Sequence, residues 1–355
     1  GILFAVLYGL VSLFGASRLI GFFKLNSPEV IAQAEWYVRI ACGLVIFSYL
    51  NAILTGLLTA AGNSRTPFIV NVAGLGFNVV LDPVLIFGIG PFPELGVSGA
   101  AAATVTAQAL VSLLFFKAVL REKVLFPHLR LWVLVPVKVW REIVRIGVPS
   151  AVQNLIYAGI SMILTRLITG WGDLAVAAQR VGSQIESVSW MVGDGFSAAV
   201  NAFLGQNYGA KRYDRVRRGY FCAIAMTAAW GLCTTFLLIG MARPLFSIFL
   251  HEEKVMAIGV NYLRIVGLSQ MFMMVEQTSI GAFSGLGRTL YPSIVSVTFT
   301  SARIPVAVLL SSVMGLSGIW WALSISSMVK GCILFVRFVV FLYVFLERKK
   351  DEETV

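Results

Sequence analysis

Residues 37–40 read Tyr37-Val38-Arg39-Ile40, and 225 positions later the chain reads Tyr262-Leu263-Arg264-Ile265. The same shift lays Gly15 on Gly240, Arg18 on Arg243, Gly56 on Gly281, Gly62 on Gly287 and Pro67 on Pro292. After a six-residue gap the shift becomes 219, and Gly96-Val97-Ser98-Gly99 meets Gly315-Leu316-Ser317-Gly318. Single Gly or Ser matches are common in apolar helices. One offset held across four segments is the signature of a duplicated unit.

The matter between these anchors is apolar. Of 355 residues, 58% are hydrophobic and only 13% are charged, about half of the roughly 25% usual in a soluble chain; mean hydropathy is +0.85. This excludes a disordered chain, a disulfide scaffold and an ordinary soluble enzyme. The pattern predicts ten helices, over 2–22, 36–60, 66–89, 98–120, 141–169, 175–204, 217–248, 256–284, 291–313 and 318–346. Each is long enough to cross a bilayer, and none shows the ten-residue alternation of a barrel strand. Lys24 to Glu35 and Ala210 to Arg218 read as short surface helices or loops.

The net charge of +11 belongs to loops facing the cytoplasm and does not point to nucleic acid. Seventeen Lys and Arg fall in alternate breaks and the C-terminal tail, against four (Arg18, Lys24, Arg243, Lys254) in the others. The richer set, and with it the C-terminus, belongs in the cytoplasm. An even number of helices separates the copies, so the repeat is parallel, about an axis along the membrane normal. The expected fold is therefore an all-α polytopic membrane protein of two pseudo-symmetric six-helix bundles, the first truncated to four helices here. The expected divisions are an N-terminal bundle over 1–120, a cytoplasmic inter-bundle loop over 121–140, a C-terminal bundle over 141–346 and a charged tail over 347–355. Gly1 corresponds to residue 226 in the repeat, and the segment from about 138 to 225 has no N-terminal counterpart. Two further helices are expected ahead of Gly1.

Cys42, Cys222, Cys233 and Cys332 lie in apolar runs without a CxxC pair and read as small buried hydrophobes. His128 and His251 fall in predicted loops. There is no HExxH, no GxSxG and no intramembrane His, which argues against an intramembrane enzyme and against a bound cofactor.

The order of motifs resembles the multidrug and toxic compound extrusion (MATE) family, in its bacterial NorM-like branch. The resemblance rests on Gly62-Asn63-Ser64-Arg65-Thr66-Pro67, Asn78-Val79-Val80-Leu81-Asp82-Pro83, Gly96-Val97-Ser98-Gly99-Ala100-Ala101, Gly147-Val148-Pro149 and Gly205-Gln206-Asn207-Tyr208-Gly209-Ala210. It implies an antiporter in a bacterial inner membrane, a monomer exporting organic cations or amphipathic drugs in exchange for H⁺ or Na⁺ by alternating access. The two bundles would hinge across the 121–140 loop. The ten spans would be the family's third to twelfth helices. The resemblance also implies an acid in the seventh helix, but Ser150 to Gly170 has none and Tyr157 stands in its place. The acid of the tenth helix is matched by Glu276.

Charges inside apolar spans cost about 2.5–3.5 kcal/mol each on insertion scales and need a reason. The intramembrane acids are Asp82, Glu186, Asp194 and Glu276; the bases are Arg39, Arg166, Arg180, Arg264, Arg303, Lys330 and Arg337. Ser183, Glu186, Ser187, Trp190, Asp194, Ser197 and Asn201 share one helical stripe. The preceding helix carries Ser150, Gln153, Asn154, Tyr157, Ser161 and Thr165 on another. Such stripes face a watery cavity or supply interhelical hydrogen bonds. Gln153, Asn154, Tyr157, Gln184, Glu186, Trp190, Asp194, Gln277 and Asn51 are the candidate substrate residues. Tyr157 and Trp190 offer faces to a large cation, and Met271, Met273 and Met274 an adaptable wall.

Glu276, Glu186 and Asp82 are the candidate ion-coupling acids. Glu276 lies mid-helix, and its duplicate is Asn51, so the scaffold does not require the acid. It suits a proton or a Na⁺ ion, which favours carboxylate and neutral oxygen ligands. The competing reading is an ion pair with Arg303 or Arg264. Asp82 precedes Pro83, where the helix must distort. A lipid-linked oligosaccharide flippase of the same wider superfamily is the alternative. It predicts a strongly cationic lumen, whereas only Arg166 and Arg180 are expected near these stripes.

Overall fold

The computed structural model describes residues 1–21, 28–121 and 136–346. Most of the expected inter-bundle loop and all of the expected tail lie outside the described residues. Among the described residues every regular element is a helix. The chain divides into two compact units, Gly1–Val133 and Leu134–Val355, a division that falls inside the 121–140 segment.

The first unit contains α1 (Ile2–Gly21), α2 (Pro28–Tyr37), α3 (Ile46–Ala60), α4 (Arg65–Phe87) and α5 (Gly96–Arg121). A π-helical turn over Val38–Cys42 joins α2 to α3, so one continuous segment, Pro28–Ala60, is long and apolar enough to span. Its start lies eight residues before the expected 36. The core is small and consists of Leu58, Val70, Val111 and Phe115. Gly74 sits against Val111 so closely that a Cβ there would overlap its side chain, which allows α4 and α5 to pack along their length.

The second unit contains α6 (Val137–Thr169), α7 (Asp173–Gly209), α8 (Tyr213–Gly240), α9 (Ala242–Ser247), α10 (Glu253–Gly267), α11 (Gln270–Gly285), α12 (Leu290–Ser301), α13 (Arg303–Met314) and α14 (Leu316–Phe341). Two breaks have local causes. Pro305 has no N–H to give to Ser301, and the segment splits there into α12 and α13. The α10–α11 pair bends by 50° at Leu268–Ser269, after Gly267. The Ser269 hydroxyl donates to the Val266 carbonyl (2.8 Å), and the Gly267 carbonyl freed by the bend accepts from Thr235 Oγ1 (2.9 Å). Helix α11 is the centre of this unit, gripped by small residues on both sides. Gly281 lies on the Ser197 carbonyl of α7, and Gly331 of α14 on the Phe272 carbonyl.

The duplication is visible in the helix ends. Helices α2 and α10 start, and α3 and α11 end, 225 residues apart, and both pairs are interrupted near their middle. Gly62 and Gly287 follow α3 and α11 with positive φ (+88° and +67°), and Gly96 and Gly315 stand at the starts of α5 and α14 with positive φ as well (+54° and +63°). A side chain is strained in that region, which accounts for glycine at both copies of each turn.

Eight described helices are long and apolar enough to cross a membrane, nine if the bent α10–α11 pair is one span. Helix α7 is the expected tenth. Its 37 residues are long enough, but its polar stripe keeps it out of that set. Apolar side chains stand outward across both units, including Phe14 (86% exposed), Val313 (82%) and Phe236 (73%). Outward apolar faces on helices of this length are those of a multi-pass membrane protein. The same inversion corrects the reading of the cysteines: Cys222, Cys233 and Cys332 are exposed and Cys42 half-buried, because lipid, not a core, is the apolar medium they face.

Candidate functional site

Within the second unit a polar cleft has two lobes that share Tyr157, Trp190, Asp194, Thr300, Arg303 and Ser327. One lobe, of about 320 Å³, is bounded by Gln153, Asn154, Glu276, Gln277, Ser296 and Lys330 as well. The other, of about 400 Å³, adds Ser161, Gln179, Ser183, Glu186, Ser187, Tyr262 and Ser269.

Glu186 is oriented by three uncharged donors. Trp190 Nε1 donates to Oε1 from the next turn of α7 (3.0 Å). Gln270 Nε2 reaches the same oxygen (3.1 Å), and the Tyr262 hydroxyl donates to Oε2 (3.0 Å). The bend before α11 places Gln270 at its first position, where it can make this bond. Tyr262 is fully packed on Trp320, edge to face at 5.4 Å, and cannot turn away. The three donors fix the orientation of the carboxylate, and none of them carries a charge. Beside it, Tyr157 and Trp190 pack as a tilted aromatic pair with centroids 6.0 Å apart.

Glu276 is handled differently. Lys330 Nζ lies 2.7 Å from its Oε1, and the two residues are 5% and 6% exposed. The partner is neither Arg303 nor Arg264, as the sequence suggested. The close seat of Gly331 on Phe272 sets α14 one turn below Glu276 and delivers the neighbouring Lys330. Arg303, 6% exposed, donates from Nε to Ser326 Oγ (3.1 Å) and from Nη2 to Ser327 Oγ (3.0 Å). The break at Pro305 puts it at the first position of α13. The Ser296 hydroxyl, buried in the same wall, has no hydrogen-bond partner.

Of the candidate substrate residues, Gln153, Asn154, Tyr157, Glu186, Trp190, Asp194 and Gln277 meet in this cleft. Gln184 does not: it lies nearly opposite Glu186 around α7 and is exposed away from the cleft. Lower on α7, Gly281 and Gly285 are seated on the Ser197 and Asn201 carbonyls, and neither Ser197 nor Asn201 lines the cleft. Arg166 and Arg180 point elsewhere and are exposed. The cations of the cleft are Arg303 and Lys330, so its wall is less one-sidedly acidic than the stripes implied. Met273 lines one lobe, while Met274 packs against Gly193 and Gly231.

Asn51 and Asp82 belong to the first unit. Asn51 is buried; its Nδ2 donates to Gln108 Oε1 (2.7 Å), and its Oδ1 accepts from Ser112 (2.8 Å). Asp82 accepts from Asn78 Nδ2 (3.3 Å). The first unit has its own pocket, about 130 Å³, bordered by Asn71, Asn78, Gln108 and Val111. By the repeat shifts these are the counterparts of Ser296, Arg303, Ser327 and Lys330. The duplicated site is therefore neutral in one copy and carries the charges in the other. Sequence reading passed over Tyr262 and Gln270, the first because it sat in the repeat motif and read as scaffold. It named Arg303 and Lys330 as membrane-embedded bases without bringing them to the cleft. Among the described residues no group of three or more His, Cys, Asp or Glu could hold a metal ion.

Comparison with known proteins agrees with this architecture. The chain is 31% identical over 317 residues to "Probable multidrug resistance protein NorM" of Thermotoga maritima, covering 85% of this chain and 66% of that protein. It is 27% identical over 303 residues to "Probable multidrug resistance protein YoeA" of Bacillus subtilis, covering 83% and 65%. The chain thus spans slightly less than two thirds of the length of these relatives. A solved structure described as the outward-facing conformation of a multidrug resistance MATE family transporter of the MOP superfamily superposes with a TM-score of 0.87. Its sequence identity is 20%, over 98% of this chain and 78% of that one. The MatE family model matches residues 1–84 and 149–309, which include α1 to α3, most of α4, most of α6 and all of α7 to α12, and the chain belongs to the MatE family.

Proposed function

We propose that the protein is a secondary active efflux transporter that exports amphipathic organic cations in exchange for inward H⁺ or Na⁺, and that the cleft of the second unit is part of the substrate path. The observation that carries this reading is Glu186, a carboxylate held by Trp190, Gln270 and Tyr262 and, among the described residues, in no ion pair, beside the Tyr157–Trp190 aromatic pair. A carboxylate next to aromatic faces attracts a large, weakly hydrated cation. The mixed wall of Met273, amides and hydroxyls suits loose specificity. Glu276 is the group through which the driving ion acts. One charge crossing 100 mV gains about 2.3 kcal/mol, enough to drive export when ion and substrate favour opposite-facing states.

The test is uptake of a fluorescent organic cation into inverted vesicles under imposed H⁺ or Na⁺ gradients. Wild type is expected to accumulate the cation, and Glu186→Gln to lose about 2 kcal/mol or more of cation binding, roughly a thirtyfold rise in apparent KM. Uptake by the variant with unchanged KM removes Glu186 from the site. Arg303, a guanidinium in the cleft wall that donates to Ser326 and Ser327, favours a second reading, transfer of a lipid-linked phosphate. Wild-type protein that moves no cation under either gradient, but flips a fluorescent lipid phosphate, decides for it.

A further inference from the structure

We infer that Lys330 is a built-in cation: its ammonium occupies the monovalent-cation site on Glu276 and excludes Na⁺ from that carboxylate. Lys330 then sets the ion specificity of the transporter, and this last step rests on the export reading above.

Three observations lead there. The ammonium is 2.7 Å from Glu276 Oε1, and both side chains are buried in the wall of the cleft. The backbone beside Lys330 is locked, since Gly331 is pressed on the Phe272 carbonyl of the helix that carries Glu276. The ammonium therefore sits where an ion approaching Glu276 would have to sit.

The pair is also not needed for packing. In the other copy Asn51 and Val111 occupy the equivalent positions, and α3 and α5 are joined there by the neutral Asn51–Gln108–Ser112 network. Both charges are special to the unit that has the larger cleft.

Finally, taking the ammonium away leaves a carboxylate near neutral oxygens. Ser296 Oγ is buried without a partner, and Gln277 and Ser327 border the same lobe. A carboxylate with hydroxyl and amide oxygens is a ligand set for a hard cation. Lys330 is the group that prevents its use, with Arg303 adding a second positive charge to the same wall.

The experiment is calorimetric titration of the purified protein with NaCl, against KCl at equal ionic strength, with thermal unfolding in parallel. Wild type is expected to show no Na⁺-specific binding. Lys330→Met is expected to bind Na⁺ about tenfold or more tightly than wild type, the scale on which a neighbouring charge acts. The double variant Glu276→Gln/Lys330→Met is expected to lose that gain. Wild-type Na⁺ binding that disappears in the double variant overturns the inference, as does a folded Lys330→Met that gains none. If Lys330→Met does not fold, Lys330→Gln replaces it, and Glu276-dependent Na⁺ binding by wild type still overturns the inference alone. A transport arm separates the two readings. Organic-cation uptake driven by H⁺ and not by Na⁺ supports Lys330 as the specificity residue, and uptake driven by Na⁺ through Glu276 contradicts it. No uptake under either gradient removes the export reading, while the titration continues to decide the role of Lys330.

Discussion

At the residue scale two of the three acids of the cleft, Glu186 and Glu276, illustrate two ways to keep a carboxylate inside a membrane protein. Glu186 is held by three neutral donors and retains its attraction for an outside cation. Glu276 is satisfied by a lysine from another helix. Breaking such a buried pair leaves one charge without compensation, which costs about 3–5 kcal/mol, whereas replacing both partners by neutral groups is often harmless. Glu276→Gln alone and Lys330→Met alone are therefore expected to lower the unfolding temperature in detergent markedly. The double variant is expected to return close to wild type. Equal losses in all three proteins would mean that packing around Met273 and Ser327, not charge balance, carries the stability.

At the element scale the site depends on how closely α11 can be approached. Gly281 admits α7, and Gly331 brings α14 to the carbonyl of Phe272. Adding bulk at such a contact costs typically about 1–3 kcal/mol and moves backbone. Gly331→Val is expected to destabilise by that order and to pull Lys330 off Glu276. Circular dichroism melts would report the first effect. Labelling of Glu276 by a carboxyl-reactive carbodiimide would report the second, the variant being expected to label more than wild type. An unchanged melt would show that α14 has slack the close contact conceals. The breaks are equally local in origin. Pro305 frees the start of α13 for Arg303, and the Gly267–Ser269 bend aims Gln270 at Glu186.

At the scale of the whole molecule, orientation follows from charge. Seventeen basic residues on one set of breaks against four on the other predict that the turn at Lys211 faces the cytoplasm and the turn at His251 faces outward. In a background free of the four native cysteines, Lys211→Cys should react with a membrane-impermeant maleimide only in inverted vesicles, and His251→Cys only in intact cells. Reversed labelling would invert the proposed direction of transport.

Composition, helix number and the duplication were legible in the chain because each leaves a one-dimensional trace: apolar runs of membrane length, a constant offset, glycines where the turn needs positive φ. The polar faces of α6 and α7 were legible for the same reason, since helical periodicity projects Tyr157, Glu186, Trp190 and Asp194 onto particular sides. Periodicity does not say how far a stripe follows the cleft, and only the tertiary structure showed that Ser197 and Asn201 lie outside its lining. It also does not choose partners between helices. Glu276 and Lys330 are 54 positions apart, Glu186 and Gln270 84, and no local rule prefers Lys330 to Arg303 or Arg264. That choice was made by tertiary structure, where the close approach at Gly331, the bend at Leu268–Ser269 and the break at Pro305 decide which charged side chains can reach one another.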